Sequence, residues 1–535
     1  MAEPSLYWRH REELLNRPLF MWPGLSAWAF YFIAKVILAF RGYLEIGLWE
    51  NLAMMMLLTL PMRTTALKWL RQIVAIPVGL GLLYHESSLP PFSSIIDQWS
   101  SITGFSFAYM WELLTRSIQV EFIIVLLIAW IGFVYLQNIV RMTVIAFIAV
   151  IAAGVAQQPA ETPLQAVPTT LDLTTIDTPD AIQFNSPSEK LEAFYDEQQK
   201  FKLTPSREST ADFDILLINI CSMSWQDLAT AGLQDHPVIK DAHLMFENYN
   251  SATSYSGPSA LRLLRANCGH QPHQQLFTNT PQCMVSQQLE KLGYRPEVLL
   301  NHTGEYDDFS GLLQQFAGMP APQFNTSAPI SMTGFDGSLI KSDSAILQNW
   351  LASSTNSDSR FTFYNTLSLH DGNRVPGFNG NSLDSYAMRT ATLLDEIYQL
   401  QMAIKASGRR VLLIIAPEHG ANLKGDALQL PGLREIPTPP ITHVPVLISL
   451  FGEGFEAPQE QLVVERNTGP TAITSAIFEI NAQQPFSNPS FSLTKVAEQL
   501  PSTEWVAENK DIKVIDYKNN FWLKIKERNW LPYKQ

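Results

Sequence analysis

Cysteine is scarce in this chain: three residues, Cys221, Cys268 and Cys283, in a sequence of 535. Three thiols allow one bridge and leave one over. Positive charge is also in deficit. A formal net charge of -13 excludes nucleic acid as a partner, because its phosphates would be repelled. No run of like charge is long enough to read as an interaction tail, and no repeat period stands out. The N-terminus lacks the short apolar core and small-residue cleavage site of a removable signal peptide. Beyond about residue 157 long apolar runs of membrane-spanning length are missing too, and the sequence reads as a soluble acidic protein.

The first 157 residues hold what the remainder lacks. Apolar stretches run over roughly 22–40, 48–62, 67–84, 119–136 and 139–156, each near the length that crosses a hydrocarbon core of ~30 Å. The second, bracketed by Glu50 and Pro61, also reads as a re-entrant or interfacial helix. With the N-terminus inside, Arg9, Arg11, Arg17, Arg63, Lys68, Arg71 and Arg141 gather on the cytoplasmic side, and Arg41 and Arg116 on the other. That is the positive-inside pattern. Five crossings leave everything after residue 157 outside the cytoplasm. Lys35 and Glu121 fall within or at the edge of spans, where a charge is a functional candidate or a snorkelling side chain.

From Gln157 to about Asp180 the chain is rich in Pro, Thr, Ala and Asp and reads as a linker. Ser186-Pro187-Ser188-Glu189 predicts a capped short helix with a capping box, packed against the start of the next domain. From Phe213 onward the runs 213–220, 360–367, 410–416 and 444–450 are continuously apolar, as in strands covered on both faces. Helical stretches at 257–266, 285–292 and 383–406 lie between them, the last capped by Ser382 and stopped at Gly408. This alternation predicts an α/β sandwich with a mostly parallel sheet. Ligands then bind beyond the C-terminal ends of the strands. The expected organisation is a transmembrane domain over 1–157, a linker and short helix over 158–210, a catalytic domain over 211–500, and a C-terminal hairpin extension over 501–535.

Those strand ends carry the chemistry. The strand at 213–220 runs into Cys221, that at 410–416 leads to Glu418-His419, and His370 follows the strand at 360–367 by three residues. Ser256 stands just before a helical stretch, where the helix dipole favours an alkoxide or a phosphate. Thiolate, imidazole and carboxylate around an activated hydroxyl suit a tetrahedral zinc ion, which lowers the hydroxyl pKa and polarises a phosphoryl oxygen. Taken singly, each has an ordinary structural reading: a buried small hydrophobe for Cys221, a turn for Ser256-Gly257-Pro258.

The spellings INICSMSW, SYSGPSALRLLRANCGH, LHDGN, PEHGANLKG and GLREIP resemble those of the BcsG family, the cellulose phosphoethanolamine transferases within the alkaline phosphatase and sulfatase superfamily. The resemblance covers nearly the whole chain, and it implies a zinc enzyme. Zn2+ would be held by Cys221, Ser256, Glu418 and His419, with Ser256 as nucleophile. His370 and Arg434 would contact the phosphoryl group, and Tyr255 would line the substrate pocket. Most of the wider superfamily has a carboxylate first ligand, often a threonine nucleophile, and an Asp-His pair. Here Cys221, Ser256 and Glu418-His419 stand in those places, which weighs against lipid A as acceptor. The implied donor is phosphatidylethanolamine and the implied acceptor a glucose 6-hydroxyl of cellulose. The implied setting is a multi-pass protein of the bacterial inner membrane with its catalytic domain in the periplasm, beside cellulose synthase complex subunits.

Cys268 and Cys283 enclose a short polar loop whose closure contributes roughly 3 kcal/mol in the chain-entropy model. That pairing leaves Cys221 as a ligand, whereas a bridge to Cys221 would remove it. The run IKVIDYKNNFWLKIKERNW reads as a hairpin around Asn519-Asn520, an edge with protective lysines or a surface for sugars and lipid heads. Three alternatives stand beside the main reading: transfer to another surface glycan or to lipid A, a sulfatase-like hydrolase, and a scaffold subunit of a polysaccharide synthase. The hydrolase reading lacks the arginine of the C/S-x-P-x-R run at Ser256–Ala260.

Overall fold

The computed structural model describes residues 24–41, 44–62, 64–87, 103–117, 120–156, 184–206, 210–323, 327–353 and 359–533. The expected linker, and Arg9, Arg11, Arg17 and Arg63, lie outside them. The chain forms two compact units, residues 1–97 with 118–179, and residues 98–117 with 180–535.

The apolar N-terminal sequence yields helices α1 (Trp28–Phe40), α2 (Leu48–Thr59), α3 (Thr65–Glu86), α4 (Phe107–Ser117), α5 (Val120–Leu136) and α6 (Met142–Ala156). Among the described residues α3, with 22 residues, is the helix long and apolar enough to cross a membrane, while α1, residues 124–136 of α5, and α6 are shorter apolar helices. Helix α2 stops at Thr59 because Leu60 precedes Pro61 and is extended, as a residue before proline tends to be. Helices α1 and α2 both pack on α6. Lys35 is neither exposed nor snorkelling: it is buried, donates to Asn51 Oδ1 at 2.6 Å and pairs with Glu86. The side chain of Glu121 lies outside the described residues. Helix α4 belongs to the second unit.

In that second unit a seven-stranded sheet has the order β3-β6-β1-β7-β8-β2-β9, with β1 Asp214–Ile220, β2 Leu244–Asn250, β3 Arg295–Leu300, β6 Arg360–Thr366, β7 Val411–Ile415, β8 His443–Phe451 and β9 Leu462–Val464. The short pair β4 (Ile330–Thr333) and β5 (Leu339–Lys341) forms a separate ribbon. Within the large sheet β3, β6, β1 and β7 run parallel, and β8 is antiparallel to both β7 and β2. The expected mostly parallel α/β sheet is therefore present. Every residue of β1 is buried, and its side chains alternate between two cores. Ile215 and Leu217 join one; Leu216, Ile218 and Ile220 join the other. This is why its sequence is continuously apolar instead of alternating.

Helix α7 (Pro187–Lys200) is capped by Ser186, whose side chain accepts the Glu189 N–H. Glu189 returns its carboxylate to the Asn185 N–H at 2.8 Å, so the expected capping box is displaced by one residue. Leu191 and Phe194 of α7 pack with Val506, Ile515 and Tyr517, which puts the helix against the C-terminal strands. Those strands, β10 (Val506–Glu508), β11 (Ile512–Tyr517), β12 (Asn520–Ile525) and β13 (Leu531–Tyr533), form an antiparallel sheet. Lys518 and Asn519, both at positive φ, make the turn between β11 and β12. The long helix expected over 383–406 is Tyr386–Ser407, stopped by Gly408 in the left-handed region. Ser382 does not cap it; its hydroxyl serves Asp371 and Glu112 instead.

Candidate active site

Cys221 follows the central strand directly. Its N–H donates to Thr366 O at 3.0 Å, and Glu418 N–H donates to Ile220 O at 2.9 Å. Cys221 and His419 face each other as parallel bridge partners. The three strands β6, β1 and β7 thereby deliver their C-terminal ends to one point, where an α/β sheet binds ligands. Two local devices fasten the loops. Ser224 and Asp227 form a capping box on the helix Trp225–Ala231, and the same Asp227 carboxylate accepts the Ala421 N–H at 2.6 Å. A Cβ on Gly420 would meet Ser224 Oγ at 2.6 Å, so the glycine after His419 permits this close approach.

Ser256 opens helix α8 (Ser256–Leu264). Two residues flanking it are pinned to the neighbouring loops: Ser254 Oγ donates to Arg434 O at 2.5 Å and Ser259 Oγ to Glu418 O at 3.0 Å. The Ser256 hydroxyl lies 3.6 Å from Cys221 Sγ. Cys221 Sγ is 3.9 Å from His419 Nε2, and His419 Nε2 is 3.7 Å from Glu418 Oε2. One ligand atom from each of Cys221, Glu418 and His419 falls within 4.8 Å of the others, and all three residues are buried.

The donor set fits a metal ion, on three observations. His419 Nδ1 lies 3.0 Å from Gly420 O. A carbonyl only accepts, so the proton sits on Nδ1 and the Nε2 lone pair faces the cluster. Asn365 donates to Glu418 Oε1 at 2.5 Å, while Glu418 Oε2 is buried without a hydrogen-bond partner; an orphaned buried carboxylate oxygen calls for a cation. Burial first, and then Glu418, push the Cys221 thiol up to about 12. Burial also raises the Glu418 carboxyl and holds His419 well below the usual imidazole range. A bound dication reverses the first two shifts by deprotonating its thiol and carboxyl ligands.

Asn365 is itself held. Its side-chain oxygen lies 2.8 Å from Nε2 of the buried His302, and its amide also donates to Asn219 Oδ1 at 2.9 Å. Second-layer partners of this kind fix the orientation of a metal ligand. Beside them His370 Nδ1 lies 2.6 Å from Asp371 O, so its Nε2 accepts from Arg434 Nη2 at 2.7 Å. Burial and the Arg434 charge lower the His370 pKa to about 3, leaving a neutral imidazole. Arg434 also biases Cys221, Glu418 and His419 electrostatically, which ties it to the cluster. Tyr255 Oη donates to the Glu435 carboxylate. Cys268 and Cys283 are joined in a disulfide, and Cys221 is free and buried.

The sequence reading brought Cys221, Ser256, Glu418, His419, His370 and Arg434 to one region, and it missed Asn365, His302 and Asp371. Asn365 had a visible signal, an amide inside the otherwise buried strand RFTFYNT. Asp371 sits beside His370 in LHDGN. His302 had none, because its partner is 63 residues away.

Comparison with known proteins agrees with the resemblance noted in the sequence. The profile of the cellulose biosynthesis protein BcsG C-terminal domain matches residues 174–530, and that of the BcsG N-terminal domain residues 28–155. The chain is 34% identical to the cellulose biosynthesis protein BcsG of Escherichia coli K12 over 583 residues, covering 100% of this chain and 99% of that one. It is 35% identical to BcsG of Salmonella typhimurium LT2 over 550 residues, covering 96% and 97%. Among solved structures, the lipoteichoic acid synthase LtaP of Listeria monocytogenes is similar at a TM-score of 0.43 and 10% identity, over 63% of this chain and 91% of that one. Matched by both domain profiles and by full-length relatives, the chain belongs to the BcsG family of cellulose biosynthesis proteins.

Proposed function

We propose that the chain is a zinc-dependent phosphoethanolamine transferase that moves the group from phosphatidylethanolamine, through Ser256, to glucose 6-hydroxyls of cellulose. The observation that carries this reading is the buried Cys221–Glu418–His419 cluster with the Ser256 hydroxyl 3.6 Å from the thiol at a helix N-terminus. Cys221, Glu418 and His419 would hold the ion, with Ser256 beside them. When bound, zinc lowers the pKa of the serine hydroxyl and draws charge from the phosphoryl oxygens.

Ser256 Oγ attacks phosphorus, and the bond to the glycerol oxygen breaks. Diacylglycerol leaves with the proton the serine gave up, and phosphoethanolamine stays on Oγ. A sugar hydroxyl then attacks phosphorus, the bond to Oγ breaks, and the serine regains a proton from the sugar. The amides at the start of α8 favour the developing negative charge, and the Arg434 guanidinium is a fit partner for the phosphoryl oxygens. His370 is neutral, and once Arg434 turns from its Nε2 to the phosphoryl oxygens, that lone pair is suited to carrying a proton between attacking and leaving oxygens. The family's role in cellulose biosynthesis supports the choice of acceptor. In this reading the N-terminal half anchors the chain in the inner membrane, with five crossings inferred from its apolar stretches and α3 as the described helix long enough to cross. The second unit lies in the periplasm beside lipid donors, nascent glucan and cellulose synthase subunits.

The test is mass analysis of extracellular cellulose from cells carrying the wild-type chain, Ser256→Ala, or none. Phosphoethanolamine is expected on the glucan in the first case alone. Equal modification by Ser256→Ala would refute the serine route, and unmodified glucan from wild type would refute the acceptor.

A further inference from the structure

Helix α4 comes from the N-terminal sequence, between α3 and α5, yet it folds as part of the second unit. Its inward face carries an ionic network. Arg116 forks over the Asp371 carboxylate, Nη1 to Oδ2 at 2.7 Å and Nη2 to Oδ1 at 3.0 Å. Tyr109 Oη donates to Asp371 Oδ2 at 3.0 Å. Ser382 Oγ accepts from Arg116 Nη2 at 2.8 Å and from Gly372 N–H at 2.8 Å, and it donates to Asp371. Glu112 pairs with Arg116 and Arg374. The Asp371 side chain is sealed from solvent.

The same segment supports His370 from a second side. Phe335 stacks on the imidazole, with centroids 4.0 Å apart and planes 21° from parallel. Phe105 and Tyr109 pack against Phe335 at 5.9 and 6.2 Å, and Ser106 N–H donates to Phe335 O at 2.9 Å. Gly372 lies where these meet: at φ +84°, a Cβ there would strike Phe335 Cβ at 2.6 Å and the Tyr109 ring at 2.7 Å. The Asp371 carbonyl that accepts the hydrogen bond from His370 Nδ1–H is thus fixed by its own side chain's fork with Arg116, and the ring face is fixed by Phe335. Arg389, on the long helix behind, completes the support by donating to His370 O at 3.1 Å.

We propose that Arg116 is a positioning residue for His370: by clamping Asp371 from α4, it sets the imidazole's orientation for phosphoryl transfer. This inference rests on the functional reading above for its kinetic consequence, though not for its structural one. Arginine is required because the fork needs two parallel N–H donors, which lysine does not have.

The test uses the full-length chain in detergent, with phosphatidylethanolamine as donor. Arg116→Gln is expected to lower kcat on the order of 10²-fold, the cost of misplacing a reacting group by about 1 Å. KM and zinc content should stay close to wild type. The melting temperature should fall because buried Asp371 loses its counter-ion, so kcat is read per folded molecule, and Arg116→Lys should recover part of both losses. In an Asp371→Asn background Arg116→Gln should have little further effect, since both act through one contact. That background also removes the unpaired carboxylate that could unfold the single variant. Nitrogen-15 NMR of labelled histidine gives a readout independent of turnover. His370, assigned with His370→Gln, should keep its Nδ1–H tautomer through Arg434, with one sharp pair of ring-nitrogen resonances in wild type and shifted or exchange-broadened ones in Arg116→Gln. Wild-type kcat in Arg116→Gln, full additivity with Asp371→Asn, or a loss of kcat that merely tracks melting or zinc content would each overturn the proposal. A wild-type chain that transfers nothing would sink the functional reading, and the histidine signature would then decide the positioning claim alone.

Discussion

The two units bury charge in opposite surroundings. In the first, Lys35, Asn51 and Glu86 meet beneath a surface on which Trp69, Ile73, Leu80, Ile128 and Ile131 are more than half exposed. In the second, large apolar side chains are sealed into cores on both faces of the sheet, and buried polar groups line its C-terminal edge. A surface so apolar suits lipid and not water. The Lys35–Glu86 pair therefore reads as a fastener that ties α1 to α3, with Asn51 of α2 between them. The groups around Cys221 are arranged differently: Glu418 and His419 each have a partner on one side and an open atom or lone pair toward the site. A buried carboxylate oxygen with a full counter-ion, such as Glu86 Oε2 beside Lys35, is architecture, whereas Glu418 Oε2, without a hydrogen-bond partner and facing only the neutral His419, is chemistry waiting for a ligand.

The contrast is sharpest at the ligand shell. Asn365→Ala removes the donor that orients Glu418 and should weaken zinc binding about 10- to 100-fold, with Cys221→Ala weakening it further but not emptying the site at saturating zinc. Metal titration against a competing chelator measures both. Zinc affinity unchanged in Asn365→Ala would erase the proposed second layer.

Breaking the pair in the first unit should affect stability and leave the chemistry alone. Lys35→Met strands Glu86 and should cost about 3–5 kcal/mol, as for other buried pairs that lose one partner. A thermal melt of the full-length chain in detergent reads the loss. Zinc content and Ser256 reactivity of the folded fraction should match wild type. If Lys35→Met leaves the melt unmoved and stops transfer, Lys35 belongs to the mechanism and the comparison fails.

Much of the second unit was legible because its sequence obeys one rule at a time. Continuous apolar runs announced strands buried on both faces, and the residues just past them announced the site. Less legible were contacts that join distant segments. Ser382 looks like a helix cap on local spacing, yet its hydroxyl is claimed by Asp371 and Arg116, the latter 266 residues away. Arg116 was counted only as a loop charge, since nothing in its neighbourhood reveals that α4 folds with the far half of the chain. Lys35 showed a similar limit. Its position within an apolar run was plain, but Glu86, 51 residues on, was not visible as its counter-ion.

The smallest effect concerns pH. Burial holds His302 down to about 4, whereas in an unfolded chain it takes a proton near its ordinary value of about 6.5. Between those values the unfolded state binds the extra proton, so stability is full above about pH 6.5 and falls as pH drops toward 4. His302→Gln should flatten that slope in a melting-temperature titration of the second unit. A slope identical to wild type would mean that His302 does not carry this dependence.

The central claim is that Ser256 becomes the phosphoethanolamine carrier at a metal centre. Its most direct test is peptide mass analysis of the full-length chain after incubation with phosphatidylethanolamine and no acceptor. The expected result is a phosphoethanolamine increment on the peptide containing Ser256 that disappears after zinc chelation and returns when zinc is restored. An increment on a different residue, or one that forms equally well in the chelated protein, would contradict the account.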